Sequence, residues 1–191
     1  MLSDEDMDQL QYLSNWKEKP PMSRGTRSLL FGCHQFIIHP LFVLWAWVVV
    51  GGHVTWRYII AIIVHDWGYW GCKTMDGEDG EAHPLFGSHV TIILTRDLGV
   101  AEDVLLHSRF WAARCNMEPS LLCWADKLGT ALYPHWLWAT LAYMSGEGWE
   151  YMDNTKYEIH DTTMEYNWRG LYEFHVRYRV FTKEMVAEEI S

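Results

Sequence analysis

The sequence predicts an all-α protein folded as a single-domain helical bundle. Apolar residues recur at helical spacing, in segments that glycine and proline separate. No segment shows the two-residue alternation of a half-buried strand. The chain has 191 residues, of which 49% are hydrophobic and 21% are charged, and this suits one core of ordinary size. We expect a lead-in over residues 1–27, a helical core over 28–145 and a helical extension of the same domain over 146–191.

Glycine and proline set the expected helix boundaries. Pro40 either opens a new helix at its first turn or kinks the preceding one. Gly51-Gly52 separates two strongly apolar helices, which we expect to be buried. Gly99 is expected to break a later helix, and Gly146 to form a turn with Gly148. The predicted helices cover residues 4–16, 28–38, 41–50, 56–67, 83–94, 101–114, 121–132, 136–144, 153–164 and 168–189.

Composition and charge exclude several classes of function. The formal net charge of −10 argues against a protein that coats nucleic acid, although a small phosphorylated substrate is compatible with it. The apolar runs 42–50 and 58–64 are too short for a membrane-spanning helix, which needs about 20 residues. Twelve tryptophans favour an aromatic surface for self-association into a homo-oligomer.

The N-terminus and the cysteines predict a cytoplasmic protein. The N-terminal residues are acidic and polar, unlike an export or transit signal. The four cysteines form no Cys-x-x-Cys pair, so we expect reduced thiols. The loop 71–81 has the composition of a calcium-binding loop, but its oxygen ligands do not fall at the required offsets, so we expect a solvated loop.

The most informative stretch is an apolar run that ends in His65-Asp66, followed by Gly68. Burying an imidazole and a carboxylate costs several kcal/mol unless something compensates, and a metal ion is the usual compensation. Further candidate ligands stand 18 to 26 residues apart, about one helix and one turn each. Successive helices of a bundle can therefore bring them to one centre. The full set is His39, His65, Asp66, His83, His107 and Asp126.

Some of these positions have rivals. His34 lies five residues before His39, and His89 lies six residues after His83. Residues five apart lie on different faces of a helix, so only one of His34 and His39 is expected to point inward. A second His-Asp pair, His160-Asp161, lacks a preceding apolar run and is expected at the surface.

The order His … His-Asp … His … His … Asp resembles the HD-domain superfamily of metal-dependent phosphohydrolases. The segment Ala125-Asp126-Lys127-Leu128 is similar to the family's last aspartate motif, and the resemblance covers about residues 28–135. It implies an HD-type helical bundle with two divalent transition metals, from among Fe, Mn, Co and Zn. By the resemblance, one metal is held by His39, His65, Asp66 and Asp126, and the second by His83 and His107 with Asp66 bridging.

The resemblance implies an enzyme that hydrolyses a nucleotide or another small phosphate ester with metal-activated water. Arg109 is the first candidate for a phosphate clamp, Lys127 the second and Lys73 the third, and Asp66 completes the catalytic set. Trp67, Tyr69 and Trp70 either form a stacking wall for a base or pack in the core. Two alternatives remain: a di-iron oxygenase resembling inositol oxygenase, and a non-catalytic HD-type binding module.

Overall fold

This computed structural model describes residues 23–153 and 164–191 of the chain. These residues contain eleven α-helices and one 3₁₀ turn, joined by loops. No strand occurs in these residues, so the all-α class is confirmed. Within the same residues, no helix combines the length and the apolarity that crossing a membrane requires. The helices are α1 Arg24–Phe31, α2 Ile38–Val49, α3 Trp56–Val64, α4 Glu78–Glu81, α5 His83–Thr95, α6 Leu98–Leu105, α7 Arg109–Arg114, α8 Leu121–Leu132, α9 His135–Ser145, α10 Gly148–Asp153 and α11 Trp168–Glu189, with the 3₁₀ turn at Trp67–Tyr69.

Four of these helices begin at a side chain that caps the backbone. Ser23 accepts a hydrogen bond from the backbone N–H of Thr26 at the start of α1. Thr55, Asp97 and Asn167 do the same for the first turns of α3, α6 and α11. Each bond satisfies one of the backbone donors that a helix leaves unpaired at its N-terminus.

Helix α8 lies at the centre because it belongs to both main hydrophobic clusters. One cluster joins α8 to α2, α3 and α6 around Val43, Ile62 and Leu122. The other joins its C-terminal end to α9 and α11 around Trp138 and Phe174. Gly129 allows the close approach of α8 to α2, since a Cβ atom there would lie 2.9 Å from the Cα of Val43.

One predicted helix ends earlier than expected and another is interrupted, and both changes have the same cause. The predicted helix 56–67 ends at Val64, and the predicted helix 101–114 is two helices, α6 and α7, with His107 between them. In each case a histidine Nδ1 bonds the backbone carbonyl three residues earlier, Ile62 for His65 and Val104 for His107. That carbonyl would otherwise accept from the next residue of the continuing helix. The side chain therefore competes with the helix and ends it.

The glycine predictions were right in part. Gly99 does not break a helix but lies in the first turn of α6. Gly146 does form a turn after α9, with φ of 79°, whereas Gly148 begins α10. The predicted helix 28–38 is α1, which begins earlier, at Arg24, and ends at Phe31. The next residue, Gly32, has an extended backbone and lies close to the side chain of Glu147.

The other predicted helices agree with the structure to within a few residues. Pro40 lies in the first turn of α2, so it opens a new helix and does not kink the preceding one. The loop 71–81 contains one short helix, α4. The predicted helix 4–16, the pair His160-Asp161 and nearly all of the predicted helix 153–164 lie outside the described residues.

Helix α2 is buried on one side only, which corrects the expectation of a fully buried helix. Val43 and Ala46 are inaccessible on its inner face. Its outer face exposes Leu41 and Trp45, at 61% and 55%. A helix with apolar residues on every side is expected to be covered on every side, and here only the inner side packs against other described helices.

Candidate metal centre

All six predicted ligand residues converge at one centre. His39 comes from the first turn of α2, and His65-Asp66 from the end of α3. His83 begins α5, His107 lies between α6 and α7, and Asp126 lies in the middle of α8. Nitrogen and carboxylate atoms of these residues form two groups, each within 4.8 Å: one of His39, His65, Asp66 and Asp126, and one of Asp66, His83 and His107.

The first group has the spacing of a coordination shell. His39 Nε2 lies 3.0 Å from Asp126 Oδ1 and 3.1 Å from Asp66 Oδ2. His65 Nε2 lies 3.2 Å from Asp66 Oδ2 and 3.5 Å from Asp126 Oδ1. Ligand atoms at about 2.1 Å from a tetrahedral ion lie roughly 3.4 Å from one another. The four atoms therefore fit a transition metal ion between them.

The second group lies on the other oxygen of Asp66. Asp66 Oδ1 lies 3.5 Å from His83 Nε2 and 3.6 Å from His107 Nε2. Its Oδ2 faces the first group, so the two carboxylate oxygens point to different groups of histidines. This is the geometry of a carboxylate shared between two ions.

The histidine rings are held so that their Nε2 atoms face the centre. His65 and His83 place Nδ1 2.7 Å from the carbonyl oxygens of Ile62 and Gly80, and His107 bonds Val104 in the same way. A carbonyl only accepts, so each Nδ1 carries the hydrogen and each Nε2 of the neutral ring has a free lone pair. Such backbone partners are typical of metal-binding histidines.

The buried polar atoms of the site test whether a metal fits it. Within the described residues, the atoms that lie buried without a hydrogen-bond partner include His39 Nε2, His65 Nε2, Asp66 Oδ2 and Asp126 Oδ1, the ligand atoms of the first group. Leaving such atoms unpaired costs about 1–3 kcal/mol each, and more where charge is involved. In the second group, the Nε2 atoms of His83 and His107 lie 3.0 Å apart. Two nitrogen lone pairs repel at that distance. A cation in the first group would pair its buried atoms, and a cation in the second group would remove this repulsion.

Both carboxylates and His83 have the protonation states that metal binding requires at neutral pH. Burial opposes ionisation of Asp66, but the charge of His65 and the close approach of the histidine Nε2 atoms hold its pKa well below the usual range. The close approach of His39 and His65 likewise outweighs burial and keeps the pKa of Asp126 low. Burial and the charge of His107 lower the pKa of His83 well below its usual value. Both carboxylates are therefore charged and His83 is neutral, as ligation requires. Burial lowers the pKa of His65, but the charge of Asp66 and the close contacts with Asp126 and Asp66 raise it to about 10, so a metal ion bound there would displace a proton from its Nε2.

Two glycines let the backbone segments of the site approach one another. A Cβ atom on Gly68 would lie 2.1 Å from the carbonyl oxygen of His83, and one on Gly87 would lie 2.4 Å from that of His65. Neither distance is compatible with a side chain. The absence of a side chain at these positions thus fixes the separation between the His65-Asp66 segment and α5.

A cavity of about 450 Å³ opens onto the cluster, and it contains the two preferred phosphate-clamp candidates. Arg109 and Lys127 both line it, together with carboxylates of Asp76 and Glu81. Lys73 is exposed and does not line it. The other residues that line the cavity are His34, Asp66, Tyr69, His83, His107, Ser108, Phe110 and Asp126.

The aromatic residues after Asp66 divide between site and core. Tyr69 lines the cavity and stacks on the ring of His83, with centroids 3.8 Å apart. Trp67 packs edge-on against Phe36, and Trp70 packs against a small cluster around Leu29. Core packing therefore holds for the two tryptophans, and Tyr69 belongs both to that core cluster and to the cavity wall.

His34 and His89, the rival ligands, belong to neither group. His89 is exposed on α5. His34 places Nδ1 2.9 Å from Oε2 of Glu147, a carboxylate that is completely buried. Burial alone would lower the pKa of His34, but the hydrogen bond and charge of Glu147 raise it to about 9. His34 therefore places a cation in the wall of the cavity, next to the ligands.

Sequence reasoning missed Glu147, although it organises this side of the site. It accepts hydrogen bonds from Ser28 and Ser145 at 2.6 and 2.8 Å, and from the backbone N–H of Cys33. In the sequence it stands between two glycines in an expected turn, where an acidic residue is unremarkable. Apart from Ser145, its partners Ser28, Cys33 and His34 lie more than 110 residues away, so no local signal identifies it.

Comparison of the chain with protein-family models, with curated proteins and with solved structures gives no match. The geometry and the chemistry of the site therefore carry the functional argument.

Proposed function

We propose that this protein is an HD-type phosphohydrolase that uses two divalent transition metal ions to hydrolyse a nucleotide or another small phosphate ester. The observation that carries the proposal is the division of Asp66, with one oxygen toward His39 and His65 and the other toward His83 and His107. Mixed imidazole and carboxylate ligands suit Fe, Mn, Zn or Co better than Mg or Ca.

The six residues that would hold the ions are His39, His65, Asp66, His83, His107 and Asp126. When bound, such ions lower the pKa of water toward neutrality and neutralise charge on phosphoryl oxygens. The chain supplies the remaining functions. Asp66 keeps the two ion positions in register, and the backbone carbonyls behind three histidines hold the rings in place.

Cationic side chains in the cavity support a phosphorylated substrate. Arg109 begins α7 at the cavity wall, where its guanidinium can bind two phosphoryl oxygens at once. Lys127 lies next to Asp126 on α8, and His34 faces the cavity from the other side. Charge developed on a transferring phosphoryl group would be stabilised by these groups. Tyr69 lines the cavity with its ring stacked on His83, so it backs one of the ligand histidines.

These cations also distinguish the proposal from its alternatives. A di-iron oxygenase needs the same ligands but has no need of cations for a phosphate group. A non-catalytic module has no need of a complete ligand set, and here six residues from four helices and a turn converge. The phosphohydrolase accounts for both features.

The test is a hydrolysis assay on a panel of nucleoside mono-, di- and triphosphates and cyclic nucleotides. The protein is purified without oxygen and loaded with Mn or Co. We expect release of phosphate or nucleoside in the absence of oxygen. Turnover that strictly requires iron and dioxygen would assign the site to the oxygenase. Full metal occupancy with neither activity would assign it to a binding module.

A further inference from the structure

The outer face of α2 has the properties of a buried surface, although no described part of the chain covers it. We define the α2 face as the side chains of Ile37, Leu41, Trp45, Val48 and Val49. They follow one another at helical spacing and lie on one side of the helix. Their exposed fractions are 70%, 61%, 55%, 55% and 59%. Exposed apolar residues usually occur singly, so this contiguous group needs an explanation.

The size of the α2 face is near that of a protein interface. From these exposed fractions, the five side chains present on the order of 600 Å² of apolar surface, the upper end of the range for the largest patch on a monomer. Val54 and Trp56, which follow the turn at the end of α2, are 52% and 54% exposed. A stable interface buries roughly 800 Å² per partner, so the α2 face by itself supplies most of that area.

Charge distinguishes among the partners that this face can take. Residues 28–56, a run of 29, contain no Asp, Glu, Lys or Arg, although 21% of the chain is charged. The face therefore offers no ion pair to a charged partner, and a second uncharged surface can cover it without burying charge. An anionic membrane is disfavoured because the chain carries a net charge of −10 and this face has no lysine or arginine.

From these observations we propose that the α2 face is the interface of a homodimer, with α2 of one copy packed against α2 of a second. A twofold axis brings the same patch of each copy together. The interface lies on the side of α2 opposite His39, which is completely buried and faces the metal centre. Dimerisation would therefore hold the first turn of α2 in place without closing the cavity.

The test compares two matched charge substitutions on the full-length protein by analytical ultracentrifugation. Val48 and Val180 are both helical and both 55% exposed, and only Val48 belongs to the α2 face. We expect the wild type to sediment as a dimer at micromolar concentration, and Val180→Glu to do the same. Val48→Glu should weaken the dimer by a factor of 100 or more, because each copy would bury an unpaired carboxylate. Leu41→Lys tests the other end of the face and should have the same effect.

Circular dichroism checks that each variant keeps its helices. The proposal would be overturned if the wild type stays monomeric at the highest accessible concentration. It would also be overturned if a wild-type dimer survives both Val48→Glu and Leu41→Lys, since the contact would then lie elsewhere. Flotation of a monomeric wild type with phosphatidylcholine vesicles, lost in Val48→Glu, would assign the face to a lipid surface instead.

Discussion

Asp66 is the residue on which the two halves of the candidate metal centre depend. Each of its oxygens faces two histidines at 3.1–3.6 Å, so its removal would leave both ion positions without a carboxylate between them. We expect Asp66→Ala to lose both metals, as measured by elemental analysis, while its circular dichroism stays helical. Asp153→Ala, which removes an exposed carboxylate outside the cluster, should keep the wild-type metal content. Retention of two metals in Asp66→Ala would contradict the bridging role.

Arg109 separates catalysis from metal binding. It lines the cavity but belongs to neither group of ligand atoms. In Arg109→Ala we expect metal content to stay at the wild-type level and kcat to fall by a factor on the order of 10²–10³, the usual effect of losing one positioned electrostatic donor. Arg114, at the other end of α7, stacks over Trp111 and serves as the control. Equal kinetics for Arg109→Ala and Arg114→Ala would show that Arg109 is a surface charge, and Lys127 would become the residue to test.

At the scale of helices, the packing of α5 on the end of α3 positions His65. A Cβ atom on Gly87 would meet the carbonyl of His65 at 2.4 Å, whereas one on Gly99 would meet nothing closer than 3.6 Å. We expect Gly87→Ala to destabilise the fold by about 1–3 kcal/mol and to weaken metal binding, because the helices must separate. Gly99→Ala should raise the free energy of unfolding by about 0.5 kcal/mol, because alanine reduces the conformational entropy of the unfolded chain. Denaturant titration measures both, and a neutral Gly87→Ala would contradict this packing.

Glu147 ties α1 and the following loop to the end of α9. Breaking a buried ion pair of this kind costs about 3 kcal/mol, which we expect for Glu147→Gln near pH 7. The pKa of Glu147 is lowered, because its hydrogen bonds with His34 and Cys33 outweigh burial, so its contribution to stability is lost as pH falls below 4.5. The pKa of His34 is raised from 6.5 to about 9, so its contribution is complete below pH 6.5 and is lost as pH rises through about 9.

The difference in unfolding free energy between wild type and Glu147→Gln should therefore be greatest between about pH 4.5 and 6.5 and shrink on either side, most of it being lost by about pH 9. Denaturant titrations at a series of pH values measure it. Glu173→Gln, which alters an exposed pair with Arg169, should differ little from wild type throughout. A difference that does not vary with pH would show that Glu147 acts through packing alone.

The sequence predicted helix bounds correctly where residues next to the helix end, such as proline, set them. The helix 121–132 was predicted with the correct bounds from Pro119-Ser120 before it and Pro134 soon after it, although the Ser120 side chain does not cap it. The ends of α3 and α6 could not be predicted, because the histidine side chains that end them bond backbone carbonyls of the preceding turn, which the sequence pattern does not reveal. The six ligand residues were found because each lies at the end of, or within, an apolar helix. Glu147 was missed because its partners come from the other end of the chain.

On the scale of the whole molecule, the candidate metal centre joins helices that are far apart in sequence. Residues from α2, α3, α5 and α8 and from the turn after α6 meet there, across the cluster that α8 shares with α2 and α3. Ions bound to these residues would stabilise the folded chain relative to the unfolded one, by about 4 kcal/mol at a free concentration 1,000 times the dissociation constant. The metal centre is thus expected to be part of the fold as well as of the chemistry.

The most direct test of this account is elemental analysis of the wild-type protein purified without oxygen. We expect two equivalents of a transition metal per chain, from among Fe, Mn, Co and Zn. Removing them with a chelator should lower the melting temperature, and adding the metal back should restore it. A protein that carries less than a tenth of an equivalent, takes up none of these metals when they are supplied, and melts at the same temperature with and without chelator would contradict the metal centre.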